Sequence, residues 1–163
     1  MSNSISYKQI IQQKECLSPN ITLGDINESL KKKIVQKIEG KCCKNGYVKK
    51  GSTNILSRSI GQINSSHFSG NIIYNVKLEV EVCNPKKGDQ IECVVLGINK
   101  MGIMCKSKEK SPLLIALSKI HHQEPEKQKR FISIKEKDQI KVEVICSKFE
   151  LNDTEINVIA ELV

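Results

Sequence analysis

The stretch IIYNVKLEVEVCNPKKGDQIECVVLGINKMGIMC, residues 72–105, decides the fold. In its first eleven residues Ile72, Tyr74, Val76, Leu78, Val80 and Val82 alternate with Ile73, Asn75, Lys77, Glu79 and Glu81. Successive side chains on a strand point to opposite faces, so this pattern predicts a long strand with one buried side. Asn84-Pro85 ends it, because proline has no N–H to give a ladder. A domain boundary is expected at 83–87, dividing the chain into 1–82 and 83–163.

Downstream of Gly88 every signal is β. Residues 90–98 are apolar and β-rich, and Gly102 follows a short turn before Ile103, Met104 and Cys105. Lys106 to Lys110 reads as a charged loop and Leu113 to Leu117 as a strand. Ser118 to His122 fits one helical turn, and 123–130 (QEPEKQKR) a polar loop. Ile140, Val142, Val144 and Cys146 then alternate, as do Ile156, Val158, Ala160 and Leu162, with Asn152-Asp153 as the turn between them. Five short strands with a helical link before the fourth match a small Greek-key barrel of the OB type.

Upstream, Ile5, Tyr7, Ile10 and Ile11 suggest a strand over 4–13 that Pro19 interrupts. The segment from Ile21 to Gly40 reads as a helix. Asp25 with Glu28 three residues on is a capping-box-like start. Ile26, Leu30, Ile34 and Ile38 make an apolar stripe with Val35 beside it, and Gly40 supplies a left-handed end. From Lys41 to Ser69, Gly46, Gly51 and Gly61 punctuate short apolar pieces, as short strands and turns require. The expected fold class is α+β: one helix on a small antiparallel sheet, then a five-stranded OB barrel.

Composition narrows the function. The chain has 163 residues, 39% of them hydrophobic. Its longest apolar runs are about five residues, against the roughly 18 that span a bilayer. The opening MSNSISYKQIIQQK carries no basic head before an apolar block, so no secretory signal is expected. The odd count of seven cysteines then reads as reduced thiols in an intracellular protein. The net charge is +8, and residues 31–50 hold eight Lys against Glu39 alone. A focused basic patch favours phosphate backbones or an acidic protein surface. Only two of the 26 basic residues are Arg, so the attraction is expected to be non-specific rather than base-reading.

Four motifs stand in order: Glu39-Gly40-Lys41-Cys42, Gly46-Tyr47, Pro85-Lys86-Lys87-Gly88-Asp89 and Asn99-Lys100-Met101-Gly102. In this, residues 5–122 resemble the seventh-subunit, or stalk, family of multisubunit DNA-dependent RNA polymerases, which has archaeal members. Cys83, Asn84 and Lys86 depart from the family pattern, as does Ser111-Pro112-Leu113. The compact length and the Lys-, Ile- and Asn-rich composition look like a version from a large DNA virus. The resemblance implies an N-terminal tip domain that docks on the polymerase core beside the clamp, and a C-terminal barrel that guides nascent RNA. It implies as partners the largest and second-largest polymerase subunits, a small core subunit and a fourth-subunit partner. Virion and host cytoplasm would follow for a viral chain, the nucleus for a cellular eukaryotic one. No membrane, cofactor or catalytic role of its own is implied.

On this reading Lys41, Lys44, Gly46, Tyr47, Lys49, Lys50, Gly51, Gly61 and Asn64 are the core-docking candidates. Lys86, Lys87, Lys100, Lys106, Lys108, Lys110, Lys119 and His121 are the RNA-binding candidates. Phe131 and Phe149 are the aromatic rings of the C-terminal half that could stack on bases. No metal is expected: His121-His122 lacks a second spaced pair, and adjacent Cys42-Cys43 cannot both reach tetrahedral positions without strain. Cys93, Cys105 and Cys146 read as small core residues. The competing reading is a free-standing RNA-binding barrel protein in translation or RNA decay.

Overall fold

The computed structural model describes residues 5–21, 24–66, 68–108 and 112–163. The strands are β1 (Ser6–Leu17), β2 (Cys42–Cys43), β3 (Gly46–Val48), β4 (Asn54–Arg58), β5 (Gln62–Ile63), β6 (Ile72–Cys83), β7 (Gln90–Ile98), β8 (Gly102–Ser107), β9 (Leu113–Ser118), β10 (Gln139–Lys148) and β11 (Ile156–Leu162). Two helices, α1 (Ile26–Ile38) and α2 (Pro125–Ser133), join them among the described residues. The fold is mostly β with one closed barrel, consistent with an α+β class carrying an OB-like barrel.

Contacts divide the chain into two units. One comprises 7–41 and 48–82; the other comprises 1–6, 42–47 and 83–163. The long segment of the second unit begins at Cys83, and that unit also takes in 42–47.

In the first unit β6 is the central strand, as its alternation requires. Tyr74, Val76, Leu78, Val80 and Val82 are buried, while Asn75 and Lys77 are exposed. β1 pairs with it, and so do β4 and β5, which are antiparallel to it. The helix starts five residues later than the sequence suggests, because Pro19–Ile21 forms a separate 3-10 turn. Asp25 is the N-cap, accepting from the Asn27 and Glu28 N–H groups at 2.9 and 3.4 Å. Glu28 pairs with Lys32 at 2.8 Å. Leu30 and Ile34 are the buried centre of the stripe.

The barrel closes in the order β7-β8-β9-β11-β10 and back to β7. All pairs are antiparallel except β9 with β11, which is parallel. Its core takes the inward residues of all five strands, with Ile5, Cys42, Tyr47 and Cys83 packed into the same cluster. The Asn99-Lys100-Met101-Gly102 motif is the turn between β7 and β8. Asn99 Oδ1 accepts from the Met101 and Gly102 N–H groups at 3.1 and 2.9 Å. A Cβ on Gly102 would collide with the Leu117 carbonyl of the neighbouring strand.

Three turns of the barrel unit share one construction. Asp89 accepts from Lys86 N–H at 2.8 Å, Asp138 from Lys135 N–H at 2.8 Å, and Asp153 from Glu150 N–H at 2.7 Å. The residue before each aspartate has positive φ: Gly88 at 90°, Lys137 at 71° and Asn152 at 71°. Each turn then exchanges two backbone hydrogen bonds with one residue, respectively Val144, Val95 and Cys42.

Several expectations are corrected. Residues 125–133 are the helix α2, not a polar loop; Pro125 stands in its first turn, and only Phe131 is buried, so no apolar stripe announces it. Cys146 is exposed rather than buried, because a bulge between Val144 and Cys146 turns it to the outer face. Lys106 belongs to β8, not to a loop. β1 runs four residues beyond 13.

Candidate docking and nucleic-acid interface

The proposed docking residues fall in both units. In the first, Glu39 organises the end of α1. Its carboxylate accepts from Gly51 N–H at 2.8 Å and Thr53 N–H at 3.1 Å, and Gly40 N–H donates to the Val48 carbonyl at 2.9 Å. These bonds bring Lys41, Lys49, Lys50 and Gly51 together. Burial pushes the Glu39 carboxyl up, but the two N–H groups and the nearby Lys31 outweigh it and hold it below the ordinary value. Lys49 is ion-paired to Glu81 at 3.0 Å, and the stem of Lys50 covers Gly40. Gly61 and Asn64 lie near Asn71 to Tyr74, at the other end of β6. Eight strand residues, about 26 Å, separate them from Glu81. Asn64 Oδ1 caps its own turn by accepting from Ser66 N–H at 3.1 Å.

The other docking candidates belong to the barrel unit. Lys44 is exposed in the β2–β3 turn, while Gly46 and Tyr47 are buried. Burial pushes the Tyr47 phenol above its ordinary value, with Cys42 and Cys83 adding to the effect.

Part of the basic patch is used internally. Glu15 is buried on β1, and Lys37 of α1 reaches both its carboxylate oxygens at 2.7 and 2.8 Å. Lys33 donates to the Cys16 carbonyl. Arg58 donates to Asn27 Oδ1 at 2.6 Å and lies over the Tyr74 ring. Beside it, a groove of about 700 Å³ runs between α1 and β4, lined by Asp25, Glu28, Lys31, Leu56, Arg58 and Ile60.

The RNA candidates of the barrel separate into two ends. Lys86, Lys87 and Lys108 stand where β7 begins and β8 ends, and Lys100, Lys119 and His121 where β7 ends and β9 ends. All six are exposed. Lys106 is exposed on β8, Lys108 pairs with Glu92 at 3.6 Å, and Lys110 lies outside the described residues. Neither proposed ring is available for stacking: Phe131 is buried and Phe149 packs against the core. His122 is also internal. Its Nδ1 donates to the Ser118 carbonyl at 2.7 Å, its Nε2 accepts from Leu162 N–H at 2.9 Å, and its ring centre is 4.8 Å from that of Phe131. The Leu162 N–H can only donate, which fixes the tautomer. No sequence signal distinguishes His122 from its exposed neighbour His121.

Among the described residues no three His, Cys, Asp or Glu side chains gather as a metal-ligand set, and no helix is long and apolar enough to cross a membrane. No protein-family model matches the chain. It is similar to a protein of Acanthamoeba polyphaga mimivirus provisionally named a DNA-directed RNA polymerase subunit. The two are 28% identical over 169 aligned positions, covering 98% of this chain and 82% of the relative. The match supports an RNA polymerase subunit family. It therefore extends through both units, including the barrel's last two strands.

Proposed function

We propose that the chain is a non-catalytic, stalk-type subunit of a DNA-directed RNA polymerase. The observation that supports the polymerase-subunit part of this reading is the near-full-length similarity to the mimivirus protein; the stalk type rests on the four sequence motifs. The OB-like strand order and the four motifs, now seen as turns and strand ends, agree with it. Lys41, Lys49, Lys50 and Gly51, with Lys44, Gly46 and Tyr47, are the residues offered to the polymerase core, and Gly61 and Asn64 form a separate candidate contact. The largest and second-largest chains and a small core subunit are the partners, with a fourth-subunit partner alongside. The mimivirus relative favours virion and host cytoplasm as the setting.

The barrel guides nascent RNA through Lys86, Lys87, Lys108 and His121. Lysine holds phosphate as a point charge, so this contact is electrostatic, falls with added salt and reads no sequence.

Affinity purification through a tag on this chain tests the reading. The expected result is co-elution with the two largest polymerase chains at one to one. A chain that elutes alone with bound RNA would overturn it in favour of a free-standing RNA-binding protein. Replacing Lys44, Lys49 and Lys50 by Ala weakens assembly most at low salt, where screening is least.

A further inference from the structure

The outer rows of the barrel follow from its register. Met104 on β8 faces Gly97 of β7, beside the bulge that carries Leu96, and on its other side faces Ala116 of β9. Ala116 faces Ile159 of β11. Leu96, Met104, Ala116 and Ile159 thus form one continuous exposed row across four strands. Met101, 83% exposed, stands in the β7–β8 turn at the end of this row. Single exposed apolar side chains are ordinary on a protein surface; a contiguous row marks an interaction site.

Cations bracket this row. The next row along β8 and β10 holds Lys106, opposite Val94 and Leu114, and Lys148, opposite Asn157. Lys100 and Lys119 stand past the opposite ends of the strands. None of these four lysines has a carboxylate partner among the described residues. The carboxylates on the outer side of these strands are Glu92, which Lys108 holds at 3.6 Å, and Glu143, which faces Glu161 across β10 and β11, with Lys127 holding Glu161 at 3.3 Å.

The row contains no aromatic ring. Bases bind such barrels by stacking on flat rings beside a basic groove, so an aliphatic row is poorly suited to a nucleic-acid strand. It suits other aliphatic side chains, whose burial removes both surfaces from water. Methionine adapts its shape to what it meets.

We propose that this outer face of the barrel docks an amphipathic protein segment with aliphatic side chains along its centre and carboxylates along its margins. Leu96, Met104 and Ile159 take the apolar stripe, while Lys106, Lys148, Lys100 and Lys119 meet the acidic margins. The apolar contact supplies the attraction and the flanking charges set the orientation. The inference rests on the polymerase reading only for the source of the segment, a second chain of the same enzyme.

A diazirine amino acid in place of Met104, in the full chain purified through its tag with whatever binds it, tests this after illumination and peptide mass spectrometry. The expected adduct is a protein segment with apolar residues at helical or alternate spacing and Asp or Glu beside them. Lys106→Glu with Lys148→Glu should lower its yield at least fivefold while the circular dichroism stays unchanged. An adduct to RNA, to a second copy of this chain, to a segment without acidic margins or to water alone overturns the inference, as does a yield indifferent to the charge reversal. Co-elution with the two largest polymerase chains is read separately. An acidic-flanked adduct without co-elution keeps this inference and removes the polymerase reading; co-elution with only a water adduct does the reverse.

Discussion

Replacing His122 by Ala should loosen the end of the barrel by an amount the structure sets. The imidazole is buried and uses both nitrogens, one towards Ser118 and one towards Leu162. Its removal leaves the Leu162 N–H without an acceptor, which costs about 1–3 kcal/mol. The ring contact with Phe131 adds about 0.5–1.5 kcal/mol beyond its area. The total is about 3 kcal/mol, or roughly a hundredfold at 1.4 kcal/mol per decade. A chain of two units need not unfold in one step, so a single melting temperature is a poor measure. Amide hydrogen exchange read at Leu162 is the right assay, and His122→Ala should accelerate it about a hundredfold. His122→Gln keeps an acceptor within reach and should lose about half as much. If the His122→Ala rate stays within fivefold of the native rate, or if Gln and Ala behave alike, the Leu162 bond does not hold β11 in the way described.

Three further outcomes follow. Lys137 has φ 71°, a region that costs a side chain about 1–2 kcal/mol, so Lys137→Gly should be neutral or stabilising in urea titrations despite the added chain entropy. Because the Glu39 carboxyl is held below its ordinary value, its contribution is complete above that value and is lost as pH falls through the lower, folded one. Protection from exchange at Gly51 and Thr53, whose N–H groups it accepts, should fall over that acidic interval once intrinsic rates are divided out, and Glu39→Gln should abolish that fall. A neutral disulfide reagent at pH 7 should label Cys146 first, then half-buried Cys16 and Cys43, with Cys42, Cys83, Cys93 and Cys105 last. Burial pushes the Cys42 thiol up to about 11, with Asp153, Cys43 and Cys83 adding to it. Peptide mass spectrometry showing Cys93 labelled before Cys146 would contradict the barrel packing.

What could be read from the sequence was whatever repeats. β6 alternates without a break, so its buried face was legible residue by residue. The Asp25 cap was legible because a short acceptor before an apolar stripe has one efficient use. The barrel strands were legible as strands, but their faces were only partly so. One extra residue between Val144 and Cys146 reverses a face, and nothing in the composition marks a bulge there. α2 was missed because a helix that buries a single residue has no apolar period to show. The candidate site was legible as charge and not as geometry. Lysines at 33, 37 and 49 look alike along the chain, yet each is drawn to a carbonyl or carboxylate that the fold brings from elsewhere. The outer aliphatic row was hidden for the same reason, since its members come from four strands and meet only through register.

The third of the aspartate turns carries a consequence for how this protein can be made. Cys42 N–H donates to the Asp153 carbonyl at 2.7 Å, and Asn152 N–H donates to the Cys42 carbonyl at 2.9 Å. The barrel unit therefore extends beyond residues 83 to 163 and includes the small hairpin at 42 to 47. On the ribosome, the small hairpin must wait through more than a hundred residues of synthesis before its seat exists. A nascent chain stalled short of Asp153 lacks both of these bonds to Cys42 and also lacks β11, without which the barrel cannot close.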